Sequence, residues 1–186
     1  MEAGAIVVSD FAADRAFTST SSRYDATTLA LLSVNQEASC CGNRWTAALT
    51  RAADGSFDAD VSRMVPVPGQ AMLVEKHDRV HIPPTGRITI VSAMALVPWV
   101  YHQLNPTAVE TLLLPGSQTD AIDSQTSIIA QADDEDRPPA VPARDRALRL
   151  TPKRGSTTVL WYDPCTFVVD ALKRGTWVMI RSGLIK

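Results

Sequence analysis

The sequence has few of the residues, and none of the motifs, by which a reaction or a cofactor is usually recognised. Its 186 residues include only three Cys and three His. No phosphate-binding glycine loop occurs, either of the dinucleotide or of the P-loop type, and no Gly-x-Ser-x-Gly turn is present. We therefore expect no cofactor, and we expect the protein not to be an enzyme.

Long apolar runs are missing as well. Charged residues, Pro or Gln interrupt every hydrophobic stretch, including the best one over residues 88–100, whereas a bilayer span needs about 18–20 apolar residues. The first ten residues carry Glu2 and Asp10 but no Arg or Lys, so the charge pattern of a secretion signal is absent. We expect no membrane span and no secretion; the predicted location is the virion if the protein is viral, and the cytoplasm otherwise.

The cysteines do not form a disulfide framework. Cys40 and Cys41 are adjacent and Cys165 stands alone, and neighbouring cysteines rarely satisfy disulfide geometry. The odd count indicates reduced thiols. We interpret Cys165 as a small buried side chain.

The small net charge of −2 hides an uneven distribution. Residues 1–143 hold 9 basic and 17 acidic side chains, whereas residues 144–186 hold 9 basic and 3 acidic ones. Such an asymmetry can mark a polyanion-binding face, or it can let the two ends of one fold, or two neighbouring subunits, attract each other. The pI of about 5.9 favours the second interpretation, because dedicated nucleic-acid binders usually have a pI above about 9.

Short segments rich in branched and aromatic residues recur along the chain, about a dozen in all, and turn residues separate them. The best strand candidates are residues 157–162 and 176–181, which are too short for helices. Residues 99–102 also fit a strand, and residues 106–114 fit a two-turn helix behind Asn105. We predict an all-β fold, an antiparallel sandwich or barrel of jelly-roll type, with little helix and long loops.

Two segments stand apart by composition. Residues 12–28 are small and polar around a run of Ser and Thr, which indicates a flexible N-terminal arm over residues 1–28. Residues 131–145 combine consecutive acids with prolines, which indicates an exposed loop. The predicted organisation is thus an arm followed by a single β domain over residues 29–186.

The densest polar cluster lies around residues 75–81. If it forms one strand, Glu75, His77 and His81 share a face, and His102 could approach from another strand to complete a zinc or iron site, as in the cupin family. The spacing differs from the cupin motif, in which two histidines lie two residues apart and a Glu follows. A turn at residues 76–78 with a solvated His77 is the interpretation we favour, and no metal is expected.

A basic stretch follows the acidic loop and precedes two aromatic residues. On one strand, alternate Arg side chains could follow a phosphate backbone, although the acidic overall composition does not favour this. The candidate nucleic-acid-binding residues are Arg144, Arg146, Arg149, Lys153 and Arg154.

With catalytic motifs missing, the sequence favours a structural or assembly protein. We predict a homo-oligomer that packs against a larger protein shell, most plausibly as a viral capsid-associated subunit: a coat, decoration or spike component. The tryptophans in candidate strands are expected to fill the core or a subunit interface. Trp99, Trp161 and Trp177 are the candidate interface residues. A cupin-like metalloenzyme and a nucleic-acid-binding β module are the two alternatives.

Overall fold

The computed structural model describes residues 4–13, 16–40, 42–66, 69, 73–91, 96–115, 121–133 and 137–181. The chain is nearly all β, with 60% strand and 6% helix, so the predicted all-β class with little helix is confirmed. In chain order the elements are β1 (Ala5–Ala13), β2 (Ala16–Asp25), β3 (Leu31–Cys40), β4 (Asn43–Arg51), β5 (Phe57–Pro66), β6 (Leu73–Ile82), β7 (Thr89–Val91), α1 (Val97–Leu104), β8 (Ala108–Leu113), β9 (Asp123–Gln131), β10 (Arg146–Pro152), β11 (Thr158–Tyr162), β12 (Val169–Arg174) and β13 (Trp177–Ile180).

The strands form two sheets. One has the order β1-β2-β3-β4-β5-β6, and the other has the order β13-β12-β11-β10-β9-β8-β7. Neighbouring strands follow one another in the chain, and the strand pairs of the first sheet are antiparallel throughout. This is the connectivity of a meander, without the strand crossings that a jelly roll has.

The chain divides into two compact units, in place of the arm and single domain that the sequence predicts. The first comprises residues 1–92 and 112–124, and the second comprises residues 93–111 and 125–186. The 41 residues after Asp145 are too few for a core of their own. The second unit also contains residues 93–111, which precede β9 in the chain. Composition alone cannot reveal a unit that is built from two separate segments.

The predicted flexible arm is wrong for the described residues, because residues 5–13 and 16–25 form strands β1 and β2. Thr20, Ser22 and Tyr24 alternate along β2 and are each at most 2% exposed. The Thr20 hydroxyl donates to Gln36 Oε1 on β3 (3.2 Å), and the Ser22 hydroxyl donates to the Val8 carbonyl oxygen on β1 (3.4 Å). Partners on neighbouring strands therefore allow small polar side chains to be buried.

Two sequence predictions are wrong here: a helix forms where residues 99–102 were expected to be a strand, and a strand forms within the helix predicted over residues 106–114. Residues 97–104 form α1, with Pro98 in its first turn and Asn105 in the left-handed conformation at its C-terminal end. Residues 108–113 form strand β8. The Asn105 N–H donates to the Tyr101 carbonyl oxygen (2.9 Å), so Asn105 ends a helix and does not begin one.

The predicted exposed loop is partly buried. Val141 and Asp145 are 5% and 4% exposed, and Val141 packs in a cluster with Ala147, Trp161 and Ala171. Residues 134–136, which contribute most of the acidic run, lie outside the described part of the chain. The loop therefore covers one end of the β10–β11–β12 sheet in the second unit.

Cys165 is exposed, and its interpretation as a buried side chain is wrong. It lies in the turn after β11, where Asp163 Oδ1 accepts hydrogen bonds from the N–H groups of Cys165 (2.8 Å) and Thr166 (3.3 Å). These hydrogen bonds, that of Cys165 first, lower the pKa of Asp163. Cys165 is therefore part of a turn and does not belong to the core.

Candidate functional site

Strand β13 presents three consecutive exposed apolar side chains. Trp177, Val178 and Met179 are 79%, 47% and 61% exposed. β13 is terminal in its sheet, so among the described residues only β12 pairs with it. Soluble proteins usually shield such an edge with charges or a bulge, because its free N–H and C=O groups can pair with another chain.

A tight hairpin positions this strand. β12 ends at Arg174 and β13 begins at Trp177, and between them Gly175 adopts a φ of 59°. A two-residue hairpin loop needs a positive φ at its first position, which glycine provides without strain. The turn therefore fixes the register of β13 on β12 as Arg174 opposite Trp177 and Lys173 opposite Val178.

The two faces of β13 continue different rows of side chains. Because successive residues point to opposite faces, Trp177 and Met179 share one face and Val178 lies on the other. Met179 extends a cross-strand row that passes through Leu172, Leu160 and Leu148. Leu148 and Leu160 are fully buried, so the apolar row runs from the core out to the exposed edge.

One of the two terminal strands of the first sheet, β6, is charged, and β1 is the other. His77 Nε2 lies 3.4 Å from Glu75 Oε1, Arg79 Nε lies 3.1 Å from Asp60 Oδ1, and both pairs are largely exposed. Exposed ion pairs of this kind contribute little to stability. They do block the pairing of this edge with another strand.

The predicted turn at residues 76–78 is wrong, because β6 runs unbroken through them. Glu75, His77 and His81 therefore share one face, as the alternative interpretation requires, and His77 is solvated, with 71% of its side chain exposed. His81 Nδ1 contacts Asp58 Oδ1 on β5 at 2.9 Å. Each histidine faces one exposed carboxylate.

The third candidate ligand, His102, is exposed on α1, where its ring centroid lies 4.9 Å from that of Phe167. Within the described ranges, no group of three His, Cys, Asp or Glu side chains is placed to hold a metal ion. The geometry therefore gives no support to the cupin-like alternative.

The predicted basic strand is wrong in its geometry. Arg146 and Arg149 lie three residues apart on β10, which places them on opposite faces of the sheet. Arg144 is paired with Asp163, with 3.1 Å between Arg144 Nη2 and Asp163 Oδ2. Lys153 and Arg154 are exposed in the bend after β10. These side chains form no continuous row along which a phosphate backbone could lie.

The three candidate interface tryptophans have different environments. Trp161 is fully buried in the core of the second unit, which is the first of its two expected environments. Trp99 is half-buried on α1. Trp177 alone has the exposure of an interface residue, and Met179 beside it is an exposed neighbour that the sequence reasoning missed, although four consecutive apolar residues at 177–180 signal it.

No helix in the described residues is long and apolar enough to cross a membrane. Comparisons with protein-family models, with curated proteins and with solved structures gave no match. The surface of β13 must therefore be interpreted from its own chemistry.

Proposed function

We propose that this protein is a structural subunit that associates with a second copy of itself through strand β13. The observation that carries the proposal is the exposure of Trp177, Val178 and Met179 on a terminal strand. Strand addition satisfies the free backbone groups of the edge, and the apolar side chains add the burial that stabilises the contact.

The surface is complementary to itself in the antiparallel arrangement. If Val178 pairs with Val178 of the second copy, Trp177 lies opposite Met179 of that copy. The row from Leu148 through Leu160 and Leu172 to Met179 then continues into the second copy's Trp177. Contact between a thioether and an aromatic ring is favourable, and the two-fold axis makes the interface isologous.

Charge supports a second copy as the occupant. β13 itself carries no charged side chain over residues 177–180, and Lys173 lies one strand further in. Across the two-fold axis the two Lys173 positions are three strand spacings apart, about 14 Å. That separation exceeds the Debye length of about 8 Å at physiological salt, so repulsion between them is largely screened.

Pairing of β13 with β6 of another copy is less favourable. It would place apolar side chains opposite exposed charges such as Lys76 and Asp78. Those charges would lose solvation without gaining a partner. The proposed contact is therefore symmetric and closes as a dimer, and a larger shell would need a further surface.

Sedimentation equilibrium over about 1–100 μM, a range suited to a small interface, tests the proposal. We expect reversible dimerisation of the native chain, and we expect Val178→Lys to be monomeric because it places a cation on the edge. Val74→Lys is the matched control, since Val74 is a similarly exposed valine (41%) on β6; it should dimerise normally. A native monomer across the range, or equal loss of association in both variants, contradicts the proposal.

The finer proposal, a coat, decoration or spike subunit of a virus, is supported by the missing catalytic motifs and by the self-complementary edge. Electron microscopy of concentrated protein tests it separately. Rings, sheets or particles that disappear in Val178→Lys are expected. Isolated dimers at every concentration would contradict the shell and leave the dimer intact.

A further inference from the structure

The second unit buries two aspartates side by side. Asp145 and Asp170 are 4% and 2% exposed. Asp145 lies directly before β10, where its N–H donates to the Pro142 carbonyl oxygen (3.1 Å). Asp170 is left out of the β11–β12 register, which passes from Trp161–Ala171 to Tyr162–Val169. Such a bulge redirects a side chain, here towards the interior.

Positive charge around the two carboxyl groups is incomplete. Arg181 Nη2 lies 2.9 Å from Asp170 Oδ1, and the Arg137 guanidinium faces Asp145 but donates to the carbonyl oxygens of Asp145 and Pro142. Neither carboxyl oxygen of Asp145 has a hydrogen-bond partner within the described part of the chain. Asp163, whose carboxylate is paired with Arg144, adds negative charge nearby.

Two ionised carboxylates buried beside each other repel one another, and the Arg181 guanidinium offsets this charge at Asp170, whereas neither Asp145 oxygen has a hydrogen-bond partner within the described residues. We infer that the Asp145 carboxyl group keeps a proton in the folded protein and donates it to Asp170, so that mild acid favours the folding of the second unit. This proton makes one Asp145 oxygen a donor, so that the buried Asp145 group gains the hydrogen bond it otherwise lacks. This property goes beyond the proposed assembly and does not depend on it.

The electrostatics agree with the geometry. Burial first, and the charge of Asp170 second, raise the pKa of Asp145 from 3.8 to about 6. Between these values the folded chain holds a proton that the unfolded chain has released, so stability falls as pH rises from about 4 to about 6. A shift of about two pKa units corresponds to about a hundredfold change in the folding equilibrium.

A metal ion is the competing occupant. Asp145 lines a cavity of about 480 Å³ together with Gln131, Ala132, Arg146 and Ala147. Arg146 on this cavity, with Arg137 and Arg181 beside the carboxyl groups, opposes a divalent cation. A proton needs no further ligand, and we therefore assign the position between the two carboxyl groups to it.

Urea unfolding of the native chain and of Asp145→Asn at pH 5 and pH 7.5 tests the inference. An amide has nearly the shape of a protonated carboxyl group and does not ionise. The native chain should lose stability between the two pH values, and Asp145→Asn should remove most of that loss. Two control variants should still lose stability between the two pH values. They are Asp133→Asn, which changes an exposed acid of the same unit, and His102→Gln, which removes an exposed histidine.

Carbon-13 NMR of the aspartate carboxyl groups keeps the inference testable should Asp145→Asn fail to fold. One buried carboxyl resonance of the native chain should titrate above pH 5. If every aspartate titrates below pH 4.5, or if the native chain is as stable at pH 7.5 as at pH 5, the inference is wrong. Stabilisation by millimolar Ca²⁺ at pH 7.5 that Asp145→Asn abolishes would assign the position to a metal ion instead.

Discussion

Strand β6 is one of the two terminal strands of its sheet, and β13 is one of the two in the other sheet. They carry opposite kinds of side chain. β6 presents Glu75, Lys76, His77, Asp78 and Arg79 in succession, all exposed. β13 presents three exposed apolar residues and no charge over its four positions. The backbone groups at the two edges are equivalent, so the side chains alone decide which edge can accept another strand.

The comparison explains why β13, and not β6, is the edge through which we propose that this protein associates. Charges on β6 would have to lose their solvation before a second strand could pair with it, whereas the side chains on β13 gain from leaving water. We therefore attribute their difference to the proposed contact between two copies.

Removing the charges from β6 should have the largest effect. The double change Lys76→Val and Asp78→Val gives β6 an apolar edge beside Val74 and Val80. We expect oligomers larger than dimers, or aggregation, to form at concentrations about tenfold lower than in the native chain. Light scattering during concentration measures this effect, and a variant that stays dimeric would show that charge is not what protects β6.

Straining the hairpin that carries β13 should have an intermediate effect. Gly175→Ala places a Cβ on a residue with a φ of 59°, and that atom would meet Ser156 Oγ at 3.4 Å. A left-handed conformation costs a non-glycine residue about 1–2 kcal/mol. Urea unfolding should show a loss of about that size. Gly42→Ala, at a φ of 84° with no atom near the new Cβ, separates backbone strain from the Ser156 contact.

Removing a single ion pair from β6 should have the smallest effect. Arg79 and Asp60 are 92% and 74% exposed in their side chains, so Arg79→Ala should change the free energy of unfolding by less than about 0.5 kcal/mol. Association should be unchanged, because the neighbouring charges remain. A loss above about 1 kcal/mol in chemical unfolding would mean that β6 is charged for stability and not for protection.

The sequence predicted the β class and the C-terminal strands, because β-branched and aromatic residues concentrate at residues 158–162 and 177–180. It could have placed Arg146 and Arg149 on opposite faces, since their spacing of three residues decides that in any strand. It could not identify β2 as a strand, because the buried Thr20 depends on Gln36, 16 residues away. Short-range composition contains no information on such a partner.

The same limit applies to the candidate sites. The sequence names Trp177 as a candidate interface residue, but only the structure shows that its strand is terminal and that Trp161 is buried. The burial of Asp145 and Asp170 depends on the fold of the 137–145 loop and on a bulge in β12. Consecutive acids and prolines around residue 135 instead suggested an exposed loop.

Hydrogen exchange of the β13 backbone amides at low and high protein concentration tests the central claim most directly. Pairing with a second copy predicts that outward-facing amides among Val178, Met179 and Ile180 exchange more slowly as concentration rises, while the amides of β6 do not change. Exchange at β13 that is independent of concentration, in protein that nonetheless dimerises, would contradict the account.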